Sequence, residues 1–209
     1  LSDNSKSTMD GFYSIEESRI QKLIKRIVER GHNIGLHGSY LSYNNIEYLI
    51  NEKKLLCDIL EKTNSNQTKI GIRQHYLRWS AKSSPSLVDK AGFDFDSTVG
   101  FADHIGFRRG TSHNYTMYDL ENRVSLKVLE KPLIVMEDSM FGKEYMNISD
   151  GNDFKLKLTK MKKSCDEFGG EFNFLWHNST LKNKYYKDLI DGKIISDPII
   201  TSVSKSGFT

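Results

Sequence analysis

Strand-like runs alternate with helix-like runs along the whole of this chain, and that alternation restricts its fold more than any other feature. Ile20, Leu23, Ile24, Ile27 and Val28 recur at helical spacing behind a capping box made by Ser14 and Glu17, and Gly31 stops the run. Residues 33–37 (Asn-Ile-Gly-Leu-His) alternate as a strand. A second helix is predicted over 45–62, with Ile46, Leu49, Ile50, Leu56, Ile59 and Leu60 on its buried side, and 69–73 follows as a short strand. Ser84-Pro85 opens a third helix, since proline is tolerated in the first turn, and Gly92 ends it. Residues 93–97 alternate again.

Residues 98–123 read as a long polar loop containing Gly100, Gly106 and Gly110, a length that usually serves function or motion. A strand over 126–136 is bent or broken by Pro132. Phe154, Leu158, Met161, Cys165 and Phe168 mark a helix that runs up to Gly169-Gly170. Residues 171–177 form a strand, 184–191 a short helix, and the chain beyond Pro198 either a strand or a disordered end. This order predicts an α/β fold with a parallel sheet covered by helices. A barrel and an open doubly wound sheet both satisfy it, and both gather their chemistry at the C-terminal ends of the strands.

With 209 residues and 37% hydrophobic content, the chain suits a single domain over 1–209, with 192–209 as a peripheral tail. The 30 basic and 27 acidic residues nearly cancel, and no basic block points to nucleic acid. No apolar run is long enough for membrane insertion. Cys57 and Cys165 fall in apolar helical patterns and read as reduced core residues, which agrees with a cytoplasmic location. Asn66, Asn114, Asn147 and Asn178 head glycosylation sequons that chance explains in a chain rich in Asn, Ser and Thr. The chain begins at Leu1 rather than Met, so it reads as a fragment or a trimmed product.

Strand side chains alternate between two faces. Phe172, Phe174 and Trp176 oppose Asn173, Leu175 and His177. Ile34 and Leu36 oppose Gly35 and His37; Ile70 and Ile72 oppose Gly71 and Arg73; Phe93 and Phe95 oppose Asp94 and Asp96. Each strand thus has a bulky apolar face and a face ending in a polar group. Any one of His37, Arg73, Asp96 and His177 alone is ordinary. Four at matching parity point to a site, since site residues in such folds come from the ends of several strands. His75 shares the parity of Arg73. Trp176 belongs with the packing face, His32 with a turn, and His104 and His113 with the glycine-containing loop. Glu137-Asp138 follows an apolar strand and is either a carboxylate source or a solvated turn.

The run Gly31-His32-Asn33-Ile34-Gly35-Leu36-His37 resembles the metal-binding segment of the NodB-type polysaccharide deacetylases, carbohydrate esterase family 4. Phe174-Leu175-Trp176-His177-Asn178 is similar to the late strand of that family, which ends in a catalytic histidine. Arg73-Gln74-His75-Tyr76 stands where the family has an arginine-containing groove wall, and Asp94-Phe95-Asp96-Ser97-Thr98 falls near its next groove segment. With Gly106-Phe107-Arg108 included, the chain looks closest to a divergent bacterial branch.

The resemblance implies a distorted (β/α) barrel and a divalent metal, usually zinc, held by one Asp and two His. It implies a metal-dependent hydrolase that removes acetyl groups from N-acetylated carbohydrate. His37 would be a metal ligand and His177 the catalytic acid, with Arg73 as a further catalytic residue. Tyr76, Asp96 and Arg108 would meet the substrate. Two departures accompany the likeness. The family's second metal histidine falls at Leu41, and His75 is the candidate to replace it. The opening strand, with the catalytic base and the metal-binding aspartate, would precede residue 1, and Asp3 and Asp10 lie after it as poor replacements. On this reading the barrel is incomplete at its first strand, its open edge is covered by a partner chain or an absent segment, and the 209-residue piece is nearly inactive. The alternative is a non-catalytic carbohydrate-binding pseudoenzyme on the same fold. A different hydrolase sharing the barrel is the weakest option.

Overall fold

A computed structural model describes residues 7–11, 13–192, 194 and 199–203. They form a mixed α/β structure with six α-helices and eight mostly parallel strands among the described residues. They divide into two compact units. The first holds the described residues through Thr98 together with Thr116–Glu130; the second holds Val99–Tyr115 and the described residues from Lys131 onward. No helix among the described residues is long and apolar enough to cross a membrane.

In the first unit, helix α1 (Ser18–Glu29) buries Ile20 and Ile24. The predicted capping pair forms, but as the turn ahead of the helix: Ser14 N–H donates to Glu17 Oε1 (2.8 Å), and the helix starts just beyond Glu17. Gly31, at φ +77°, ends the run in a conformation that disfavours a side chain. Strand β1 (Leu36–Gly38) leads to helix α2 (Ile46–Lys62), where the Asn45 side chain accepts the N–H groups of Glu47 and Tyr48 at 3.0 and 3.2 Å. Strand β2 (Gly71–Gln74), helix α3 (Ser84–Lys90) with Pro85 in its first turn, and strand β3 (Phe95–Asp96) follow the predicted order.

Strands β4 (Tyr115–Asp119) and β5 (Val124–Glu130) complete a sheet of order β1-β2-β3-β5-β4, in which β1, β2, β3 and β5 are mutually parallel where they pair. Leu36, Leu49, Leu56, Ile72, Val88 and Val128 lie in its core. Strand β4 corrects the reading of 98–123 as one loop. Met117 is 3% exposed and packs into the core, while Asp119 Oδ1 accepts the N–H groups of Glu121 and Asn122 at 2.9 and 3.0 Å and closes the turn to β5.

Pro132 does break the apolar run. Strand β5 ends at Glu130 and β6 (Val135–Met136) begins anew in the second unit. There, helices α4 (Glu137–Phe141), α5 (Gly151–Glu167) and α6 (Lys184–Ile190) accompany strands β7 (Asn173–His177) and β8 (Ile199–Val203). The three strands form a parallel sheet of order β6-β7-β8. Phe172, Phe174 and Trp176 pack with Phe154, Leu158 and Cys165, so the alternation in this strand has the predicted sense. Both cysteines are free. Of the chain beyond Pro198, residues 199–203 pair with β7 as a strand; residues 193, 195–198 and 204–209 lie outside the described residues.

Candidate functional site

In the first unit, β1 and β2 pair with His37 opposite Arg73, and residues paired in register on parallel strands project to one face. His37 Nδ1 lies 2.9 Å from the Arg73 carbonyl oxygen. A carbonyl only accepts, so Nδ1 carries the proton and Nε2 keeps its lone pair. Burial, reinforced by neighbouring His75, holds the ring well below the ordinary histidine range, so it is neutral at physiological pH. The His75 ring centroid lies 5.0 Å away. His75 follows β2, and its Nδ1 lies 3.0 Å from Asp10 Oδ1. The same oxygen accepts Tyr40 N–H at 2.8 Å, and Asp10 is 7% exposed. Asp10, read from the sequence as a poor replacement for the absent aspartates, is a buried carboxyl that orients His75. Asp3 lies outside the described residues.

Tyr76 presents an exposed ring beside His75, with centroids 4.6 Å apart, and stands edge-on to Tyr40 at 5.8 Å. Tyr76 and Leu77 both take left-handed backbone, at φ +57° and +52°. Side-chain residues resist this conformation, and runs of it cluster at functional positions. Arg78 stacks between the rings of Tyr40 and Tyr43 at 4.0 and 3.9 Å and donates to the Tyr40 carbonyl. Leu41 is exposed.

Arg73 is buried, and its Nε and Nη2 donate to the Ser97 carbonyl and hydroxyl, both at 2.7 Å. Burial lowers it to about 10 against the opposing pull of Asp96 and Glu130, which leaves it charged at neutral pH. Asp96 differs from the sequence reading in phase. The register pairs it with Ile72 and Glu130, and pairs Phe95 with Gly71. Phe95, not Asp96, therefore shares a face with Gly71. A Cβ at Gly71 would lie 2.1 Å from the Phe95 ring, so the missing side chain makes room for it. Asp96 is fully buried; Oδ1 accepts the Thr98 N–H at 3.0 Å and its hydroxyl, and Oδ2 has no hydrogen-bond partner. Burial raises its carboxyl to about 6.

Glu52 went unnoticed in the sequence. It comes from the buried side of α2, accepts Ser39 N–H at 3.1 Å and the Ser39 hydroxyl, and so braces the turn after His37. Burial raises its carboxyl above the ordinary range. The available signal was an acidic residue standing in helical phase with Leu49 and Leu56.

In the second unit, the neighbouring strands β6 and β7 pair Met136 with Leu175, and each ends beside an ionisable group. Glu137 follows β6, and His177 is the last residue of β7. Glu137 is 1% exposed, so it is no solvated turn. Its Oε1 accepts His177 N–H (2.9 Å), lies 2.7 Å from His177 Nδ1, and accepts the Thr180 hydroxyl (3.0 Å). Asp138 Oδ2 lies 3.7 Å from the same Nδ1. Glu137, Asp138 and His177 each bring one donor atom within 4.8 Å of the others, a group able to hold a metal ion. The loop residues have other contacts. Arg108 donates to the Gly100 carbonyl (2.8 Å), His113 Nε2 to the Phe168 carbonyl (2.8 Å), and His104 stacks on Phe101 with its Nδ1 2.8 Å from Asp103. Trp176 is fully buried.

The C-terminal ends of parallel strands thus carry two histidine-centred groups, one in each unit, in which every histidine has Nδ1 held by an oxygen acceptor. Compared with protein-family models and with curated proteins, the chain matches none.

Proposed function

We propose that this chain is a metal-dependent, deacetylase-like hydrolase acting on N-acetylated carbohydrate, on the distorted (β/α) barrel that its likeness to the NodB deacetylases implies. One observation carries the reading: His37 and His75 have rings 5.0 Å apart, and each commits Nδ1 to an oxygen acceptor. Metal-binding histidines characteristically have such an outer shell of carbonyl and carboxylate acceptors, which fixes tautomer and ring orientation. The donor set therefore fits a divalent cation, and imidazole nitrogen favours zinc. When bound, such a cation polarises an amide carbonyl and lowers the pKa of water.

His37 and His75 hold the ion in this reading, and Asp10 positions His75. Tyr76 offers a ring face to a sugar, and Arg73, balanced by Asp96, supplies fixed positive charge. In the second unit the likeness gives His177 the acid role, and Glu137, which receives its Nδ1–H, is suited to stabilise the imidazolium. Leu41, which carries no donor atom where the family has a histidine, favours a second reading: a carbohydrate-binding protein without turnover.

The test is zinc content together with acetate release from an N-acetylglucosamine oligomer. Loss of one equivalent of zinc in both His37→Ala and His75→Ala, with a roughly 10–100-fold weaker affinity in Asp10→Asn, is the expected result. Retention of all zinc in both alanine variants overturns the metal assignment. Oligomer binding without acetate release by the zinc-loaded protein selects the second reading.

A further inference from the structure

We propose that the second unit has a cation site of its own, formed by Glu137, Asp138 and His177 Nδ1 and independent of the histidine pair in the first unit. The starting point is an orphaned oxygen. Glu137 is 1% exposed, and three donors converge on Oε1, yet Oε2 is buried with no hydrogen-bond partner. Withdrawing a carboxylate oxygen from water without a partner is costly, and native proteins seldom leave one so. The three donors that fix Oε1 cannot turn to serve Oε2. A cation satisfies it.

The remaining donors are already gathered. Asp138 is the next residue, is only half-buried, and lies 3.7 Å from His177 Nδ1. The three donor atoms lie within 4.8 Å of one another, a little wider than the roughly 3.4 Å between tetrahedral ligands on an ion with bonds of about 2.1 Å, so a small inward shift of the side chains closes the site. Two carboxylates and one imidazole suit zinc or a similar divalent transition metal better than calcium, which takes six to eight oxygens. The support is rigid. Glu137 and His177 extend from adjacent paired strands, and the single hydroxyl proton of Thr180, in the turn after β7, is shared between the Glu137 carboxyl and the His177 carbonyl. Ser139, next in α4, donates to the Ala102 carbonyl at 2.9 Å and anchors the far side.

A cation on Nδ1 replaces the proton there, which is released to solvent. Resting on the acid role proposed above, this means that a loaded site and an active His177 exclude each other. The site itself does not depend on that role.

Equilibrium dialysis of the full chain against zinc chloride tests the inference. The double variant His37→Ala/His75→Ala is expected to take up one equivalent. Glu137→Gln and Asp138→Asn, each added to that background, should weaken this uptake at least about tenfold, the scale on which even outer-shell losses act. Zinc should also raise the unfolding temperature of the double variant and not of the triple variants. Asp138→Asn alters a partly exposed side chain, so it keeps the test open where Glu137→Gln fails to fold. No zinc uptake by the double variant, or uptake unchanged by Asp138→Asn, overturns the site. Failure of acetate release leaves it standing.

Discussion

Replacing Asp96 with Asn should remove a pH dependence that the wild-type protein carries in its first unit. Asp96 is fully buried, and burial lifts its carboxyl from an ordinary 3.8 to about 6. A carboxyl whose folded value lies above its unfolded one binds its proton more tightly in the folded state. Its stabilising contribution is complete below pH 3.8 and is lost as the pH rises through about 6. A displacement of that size is worth about 3 kcal/mol. Asparagine keeps the geometry: its Oδ1 can accept the Thr98 N–H and hydroxyl as Asp96 does, and its amide replaces an oxygen that has no partner. Arg73 retains Glu130 nearby. Urea denaturation of both proteins at pH 4 and pH 7 measures the effect. Between those values, wild type should lose about 2.4 kcal/mol of this relative to Asp96→Asn, because the unfolded carboxyl is already partly ionised at pH 4. Equal pH slopes in the two proteins would show that the buried carboxyl is not strained by its surroundings, and would refute the argument.

Two further changes test the scaffold. Asn45→Ala removes the acceptor for the Glu47 and Tyr48 N–H groups and should cost about 1 kcal/mol in denaturation experiments, restored largely by Asp at the same position. Gly71→Ala places a methyl 2.1 Å from the Phe95 ring and should cost roughly 1–3 kcal/mol, an effect that shortening Phe95 to Leu in the same chain should relieve.

The helices were legible because their signals are local. The stop at Gly31 and the Leu49–Leu60 spacing each act within one helix and its flanking turn, and the structure places α2 at Ile46–Lys62, within a residue of the predicted span. Strand β4 was hidden because its assignment depends on Met117 reaching a core supplied by other segments. Asp96 illustrates a second limit. Alternation along a two-residue strand leaves open which face is which, and pairing to Ile72 and Glu130 settled it against the expected phase.

The sequence by itself determined the alternation of the main helices and strands, the apolar face of β7 and the placing of His177 at a strand end. Only the tertiary structure decided which groups meet. Asp10 reaches His75 across 65 residues, and Glu137 reaches His177 across 40. Periodicity shows which way a side chain points along its own element. Which partner waits there depends on how β1 registers with β2, and β6 with β7, through backbone hydrogen bonds that are alike for every residue type.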